Sequence, residues 1–299
     1  MKTRLITGTV YIALLVAFYV LKIFVHDFFF DALIYAFAVI GTFEMTRAMK
    51  DKTTKAERVI VMIFSIVCIP ACAVCEYFFT YGLHVTSVCF FALSVALISL
   101  LVVSHEKTTL ENIGTAFLSA VYPVLLLCLL VLINHVPELP ALTKYAFDSR
   151  LLILFVFVIS PFADSFAYLF GRFMRGRFPK KLAPEISPNK TVVGGIGGLV
   201  GGMLGAGILY VVYNAIVGSF DKIYIVLPIY LAIGLLSSIA TEFGDLVESC
   251  IKRKVGLKDM GKIMPGHGGV LDRIDGTLFA GMVVYLCFAV IRLMAHLIL

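Results

Sequence analysis

The feature that most constrains this chain is a series of apolar runs, each near 20 residues, separated by short polar loops. A helix rises about 1.5 Å per residue, so ~20 residues cross the ~30 Å hydrocarbon core of a bilayer. In lipid every backbone N–H and C=O must find a partner within the chain, and helices satisfy this locally. The runs predict an all-α integral membrane protein, a polytopic bundle of nine transmembrane helices. Their expected positions are about 5–25, 28–47, 59–79, 84–103, 112–134, 151–170, 193–217, 223–243 and 277–298. Of the 299 residues, 61% are hydrophobic and 15% charged, against ~45–50% and ~25% in soluble domains. No polar stretch is long enough to build a soluble domain. The expected organisation is an N-terminal hydrophobic region, 1–150, holding five spans, and a C-terminal region, 151–299, holding four spans and two long polar loops, 171–192 and 244–276.

Charge orients this layout. With the N-terminus in the cytoplasm, 20 of the 25 Lys and Arg residues fall in cytoplasmic segments, as the positive-inside rule requires. The C-terminus is then outside and both long loops face the cytoplasm, in a multi-pass protein of the cell's inner membrane. The same rule accounts for the net charge of +6 without a nucleic-acid partner. Lys2 and Arg4 followed by an apolar run to Val25 resemble a signal sequence, but the run is too long and lacks a small-residue cleavage site. It reads as an uncleaved first span. The Cys72-Ala-Val-Cys75 spacing lies inside an apolar run with no second Cys or His pair. Those cysteines read as small apolar helix residues, not as a zinc or redox site.

Pro70, Pro123 and Pro161 are expected to kink spans three, five and six. Span seven carries Gly194/Gly198/Gly202 and Gly197/Gly201/Gly205, two i, i+4 rows of glycine. Such rows let helices approach closely in lipid. With no strand before them, they read as packing faces and not as a phosphate cradle.

Polar chemistry is concentrated elsewhere. Asp164 is a carboxylate inside an apolar span, about two turns from its cytoplasmic end. Such a charge costs ~2.5–3.5 kcal/mol on insertion scales and marks a polar cavity or a partner. Ser187, Lys190 and Thr191 precede span seven. A cap from Ser187 or Thr191 would aim free N–H groups and the positive helix end at the cytoplasmic surface beside Lys190, a combination that suits phosphate.

The densest polar stretch runs from Glu242 to Gly276. Asp245, Glu248 and Lys252 share one helix face by i, i+3 and i, i+4 spacing. Glu242, Asp245 and Glu248 sit near a helix C-terminus, where the partial negative charge disfavours acids. A divalent cation would resolve that conflict. Asp272 and Asp275 repeat the i, i+3 spacing at the start of span nine. Carboxylates completed by phosphate and water suit magnesium. Lys252, Arg253, Lys258 and Arg273 offer charge for polyphosphate. Gly266, Gly268 and Gly269 permit tight turns and close backbone approach. His267 is a lone histidine in that glycine turn, so a structural or phosphate-contacting role suits it better than acid–base work. Hydrolase signatures (GxSxG, HExxH) are absent.

Ser249-Cys-Ile-Lys252-Arg253, then Lys258-Asp259, then Pro265-Gly-His-Gly-Gly-Val-Leu-Asp272-Arg273-Ile-Asp275 closely resembles the signature of the phosphatidate cytidylyltransferases (CDP-diacylglycerol synthases). Asp164-Ser165, Ala167-Tyr168, Gly171-Arg172 and Ser187-Pro188…Lys190-Thr191 resemble that family's earlier motifs. The likeness covers about 160–276. Departures are Val192 and Val193, Met260, and Gly276. The resemblance implies that CTP and phosphatidic acid react, with magnesium and with room for a second cation, to give CDP-diacylglycerol and pyrophosphate. It further implies a homodimer, with a metal centre on Asp245 and Asp272. The candidate site is then Asp245, Asp272, Lys252, Arg273 and His267 for the chemistry. Metal ligands come from Asp245, Asp272, Asp164, Asp275 and Glu248. Substrate contacts come from Ser187, Lys190, Thr191, Arg253, Lys258, Asp259, Gly268, Gly269 and Arg172. An ion-coupled transporter using Asp164, Glu242 and Asp245 is the rival of another class, though no inverted repeat is visible. A lipid kinase is a nearer alternative.

Overall fold

The structure is a computed structural model that describes residues 2–136, 147–174, 176–217 and 223–298. Lys144, Arg175 and Lys222, counted above for orientation, lie outside the described residues. Among the described residues, nine helices are long and apolar enough to cross a membrane. They are α1 Lys2–Phe24, α2 Phe28–Ala48, α3 Lys55–Phe79, α4 Gly82–Val103, α5 Leu110–Asn134, α6 Ser149–Phe173, α7 Val192–Val217, α8 Ile223–Lys254 and α9 Leu271–Ile298. The expected spans match these helices closely, and two extend further. At 32 residues α8 is about 48 Å long, well beyond the ~30 Å apolar core, so its acid-bearing last turns continue the helix. Helix α9 starts at Leu271, which brings Asp272 and Asp275 into its first two turns.

The purely helical expectation needs one correction. Inside the loop 171–192, β1 (Lys181–Ala183) pairs antiparallel with β2 (Ser187–Thr191), with Lys181 opposite Thr191 and Ala183 opposite Ser187. The ribbon satisfies backbone groups that a loose loop would leave to solvent.

By contacts the chain divides into two compact units, 1–135 with 254–274, and 136–253 with 275–299. In the first, α3 begins with a capping box. The Thr54 hydroxyl accepts from the Glu57 N–H at 3.4 Å, and the Thr54 N–H donates to Glu57 at 2.8 Å. Helix α5 begins the same way with Thr109 and Asn112. Pro70 sits within α3, whereas Pro123 falls in a π turn, Val121–Leu125, which absorbs its missing N–H. Polar groups at the α1, α2 and α5 ends tie those helices together. Lys22 pairs with Asp27 and donates to the Asn134 carbonyl at 3.0 Å. Asn134 and His135 reach Asp31 at 2.8 and 2.6 Å.

In the second unit, α6 and α7 pack along the glycine rows. A Cβ on Gly201 would stand 2.5 Å from Phe166 Cβ and 2.6 Å from the Phe162 carbonyl, and one on Gly197 would stand 2.5 Å from Phe170 Cβ. The Gly194/Gly198/Gly202 row meets α8 as well: a Cβ on Gly198 would lie 2.6 Å from Glu242 Oε1, and one on Gly202 would overlap Ser238 Oγ. The rows therefore serve close helix packing, as their spacing predicts. The Asp148 carboxylate caps α6 through the Leu151 N–H at 2.8 Å and accepts the Tyr213 hydroxyl at 2.7 Å.

Candidate active site

The second unit gathers charge where the helices are otherwise apolar. Lys190, at the end of β2, reaches α8. Its ammonium lies 2.8 Å from Glu242 Oε2 and 2.7 Å from Asp245 Oδ2, and donates to the Glu242 carbonyl at 3.3 Å. Thr191 next to it accepts the Gly194 N–H at 3.1 Å and so caps α7, one of the two caps its sequence offered. The ribbon thus delivers Lys190 and ends in a helix cap within two residues. Burial pulls the Lys190 ammonium down, but the facing Asp245 and Glu242 carboxylates outweigh it and hold its pKa above the usual lysine value.

One turn further along α8, Lys252 donates to Glu248 Oε2 at 2.7 Å, both side chains being nearly buried. Ser249 donates to Asp245 Oδ1 at 3.3 Å. Asp275 accepts the Gly276 N–H at 2.8 Å and lies near Glu248. Gly244 makes room for α9 here: a Cβ on it would stand 2.8 Å from the Asp275 carbonyl. Asp164 of α6 interacts electrostatically with Asp275, Asp245, Glu242 and Lys190. Its side chain is exposed on α6. One oxygen of Glu242, Oε1, is buried with no hydrogen-bond partner.

Five carboxylates (Asp164, Glu242, Asp245, Glu248 and Asp275) thus face two lysines. The donor set is all hard oxygen, which suits magnesium. Among the described residues no three Asp, Glu, His or Cys side chains converge as a preformed metal cage. A cation that keeps its waters and takes substrate phosphate oxygens needs only one or two protein carboxylates. The residues fit such an ion.

The first unit holds the other half of the predicted set. Lys258, Asp259, Lys262, His267, Gly268 and Arg273 line a cavity of about 720 Å³. Gly266 and Gly268 have φ of 77° and 91°, a left-handed backbone that only glycine adopts readily. The His267 N–H donates to the Met264 carbonyl at 2.9 Å, and Arg273 Nε donates to the His267 carbonyl at 3.2 Å. Asp272 organises this loop: its Oδ2 accepts the Met260 N–H at 2.8 Å and the Gly269 N–H at 2.7 Å. Arg172 and Arg253 are exposed near the ends of α6 and α8. Arg172 donates to the Tyr168 hydroxyl at 2.8 Å. Ser187 takes its place in the ribbon opposite Ala183.

Two acids were not assigned from the sequence. Glu242 enters the sequence reading as an acid near a helix end and as part of the rival transporter's relay, not among the candidate site residues. The structure places it inside α8, which continues to Lys254, as a principal partner of Lys190. Glu44 of α2 is 2% exposed and accepts the Val270 and Leu271 N–H groups, each at 3.0 Å. An acid inside an apolar span was the available signal, the same one that singled out Asp164.

Helices long enough to span a bilayer, with an oxygen-rich cluster between them, define a multi-pass membrane protein that handles a charged reactant. The profile of the cytidylyltransferase family matches residues 2–291, and the chain belongs to that family. It is 33% identical over 290 residues, 97% of this chain and 98% of the relative, to a phosphatidate cytidylyltransferase of Bacillus subtilis. Two phosphatidate cytidylyltransferases match over shorter stretches. One from Brucella abortus is 42% identical over 138 residues, 46% of this chain and 47% of the relative. One from Staphylococcus saprophyticus is 43% identical over 127 residues, 42% and 45% of the two chains.

Proposed function

We propose that this chain transfers CMP from CTP to phosphatidic acid at the cytoplasmic face of the inner membrane, releasing pyrophosphate and CDP-diacylglycerol for phospholipid synthesis. The observation that carries the reading is the carboxylate cluster on Lys190, in a chain that aligns end to end with a phosphatidate cytidylyltransferase. A phosphatidate oxygen attacks the α-phosphorus of CTP. A new P–O bond forms there as the bond to the bridging α–β oxygen breaks, and the electron pair leaves with pyrophosphate. The nucleophile is already anionic near neutral pH, so no strong general base is required, and His267 holds the turn instead.

Magnesium held by Asp245 with Asp164, Glu248 or Asp275 would supply charge neutralisation at the phosphates. Lys190 is kept cationic by Glu242 and Asp245 and is fixed before substrate arrives. Such preorganised charge acts without reorganising during reaction. Lys252 is held in the same way by Glu248. The cavity lined by Lys258, Lys262 and Arg273 suits the polyphosphate of a nucleotide. The N-terminus is cytoplasmic, the C-terminus is outside, and the working form is a homodimer.

The test is purified protein in detergent with α-labelled CTP and dioleoyl phosphatidate, with and without magnesium. Formation of a labelled CDP-lipid and stoichiometric pyrophosphate, dependent on magnesium, supports the reading. A lipid labelled only from γ-labelled CTP would instead identify a kinase, and no labelled lipid at all would refute both.

A further inference from the structure

Glu44 lies on α2, one turn before that helix ends at Ala48. Among the described residues no Lys, Arg or His is within ion-pair distance of it. A buried carboxylate without a cation is costly unless hydrogen bonds replace its water. Here the replacement is the start of α9. The first N–H groups of a helix have no partner within it, and they carry its positive end. Val270, the residue before α9, has no side-chain acceptor to cap them. Glu44, 226 residues away in sequence, does so instead: Oε1 accepts from Val270 and Oε2 from Leu271. The Gly269 N–H goes to Asp272, so three consecutive amides are held by two carboxylates.

The space around Glu44 is equally specific. A Cβ on Gly261 would stand 2.0 Å from Oε1, and one on Gly269 would stand 2.5 Å from both carboxylate oxygens. These two glycines leave a slot that the carboxylate fills. Helix α1 adds a second tie, since the Thr7 hydroxyl donates to the Pro265 carbonyl at 3.0 Å.

We propose that Glu44 is a positioning residue for the glycine loop. It fixes the loop between Gly261 and Leu271, and through it the cavity-lining Lys258, Lys262, His267 and Arg273. This inference rests on the reading above for its substrate: the held groups receive the phosphates of CTP. A small displacement of gripping side chains is enough to lower rate severely.

The experiment uses the full-length protein in detergent. Glu44→Gln preserves volume but turns an NH2 group toward one backbone N–H. Loss of one charged hydrogen bond with an amide left unpaired predicts a drop of about 10- to 100-fold in kcat/KM for CTP. The KM for phosphatidate should stay near wild type. Trypsin should cut faster after Lys258 and Lys262, with cleavage elsewhere unchanged. Gly261→Ala, whose methyl occupies the carboxylate's slot, should reproduce the pattern and serves if Glu44→Gln does not fold. Wild-type kcat/KM for CTP together with wild-type trypsin rates overturns the proposal. So does an equal loss toward both substrates with proteolysis accelerated along the whole chain. If the wild-type protein forms no CDP-lipid, the functional reading fails, and the trypsin rates alone decide the role of Glu44.

Discussion

Replacing Lys190 with Met removes, among the described residues, the only cation bonded to Glu242 while keeping a side chain of similar length. Three contacts disappear: 2.8 Å to Glu242 Oε2, 2.7 Å to Asp245 Oδ2 and 3.3 Å to the Glu242 carbonyl. The two carboxylates do not lose equally. The Asp245 side chain is 34% exposed and can rehydrate, so its share is that of a surface pair, ~0–1 kcal/mol. The Glu242 side chain is 11% exposed, and its Oε1 already lacks a partner. Stripping the cation from a fully buried pair costs about 3–5 kcal/mol, and with Lys190 itself 19% exposed the Glu242 share falls to about 2–3 kcal/mol. The sum is about 3 kcal/mol. Adding Glu242→Gln discharges the stranded carboxylate, so the double variant should be at least ~1 kcal/mol more stable than Lys190→Met alone. Unfolding in mixed detergent micelles measures all four corners of this cycle. The pKa of Lys190 is raised in the folded state, so its contribution is complete below the unfolded lysine pKa and is lost as pH rises through the folded one. The wild-type advantage should hold across neutral pH and fade only on the alkaline side of the lysine range. A Lys190→Met protein as stable as wild type, or a double variant less stable than the single, would refute the reasoning.

Asp245→Asn should abolish CDP-lipid formation while the protein still elutes as a folded membrane protein. Near-normal turnover in that variant would remove Asp245 from the metal set. Gly201→Ala should destabilise by about 1–3 kcal/mol, because its methyl meets the Phe162 carbonyl at 2.6 Å and backbone cannot swing aside. Gly195→Ala on the same helix meets nothing closer than Leu182 at 3.8 Å and should be neutral or stabilising by up to ~1 kcal/mol. Thermal melts of the two variants in one detergent compare them directly. A C-terminal alkaline phosphatase fusion should be active and an N-terminal one inactive, and the reverse pattern would invert the proposed orientation.

Much of the site could be read in advance because its logic is local. What marks Asp245 and Glu248 is their charge in an otherwise apolar helix. The dipole argument for them took the helix to end near 243, but α8 runs to Lys254, beyond the reach of that effect. Glycines every fourth residue must line one face of α7. Thr191 had the right chemistry and place to cap that helix. The partners of Lys190 were not local. Glu242 lies 52 residues away, and only the ribbon, whose short strands carry no periodic signal, brings the lysine to it. Asp272 was expected as a metal ligand from its spacing with Asp275 and from resemblance, and its Oδ2 is taken by two loop amides, a contact with no signature in spacing.

The sequence by itself determined that this is a helical membrane protein and where its helices lie. Bilayer thickness and backbone hydrogen bonding permit few other outcomes for ~20-residue apolar runs. It also marked the residues carrying charge into apolar surroundings, since each such placement is costly and conspicuous. Only the tertiary structure decided how those charges pair. It joins Lys190 to Glu242 and Asp245, and it places the glycine loop, 254–274, with the N-terminal helices. It also gives α9 a cap from Glu44. Pairings of this kind depend on which helices meet, and over separations of 52 and 226 residues no pattern along the chain encodes that meeting.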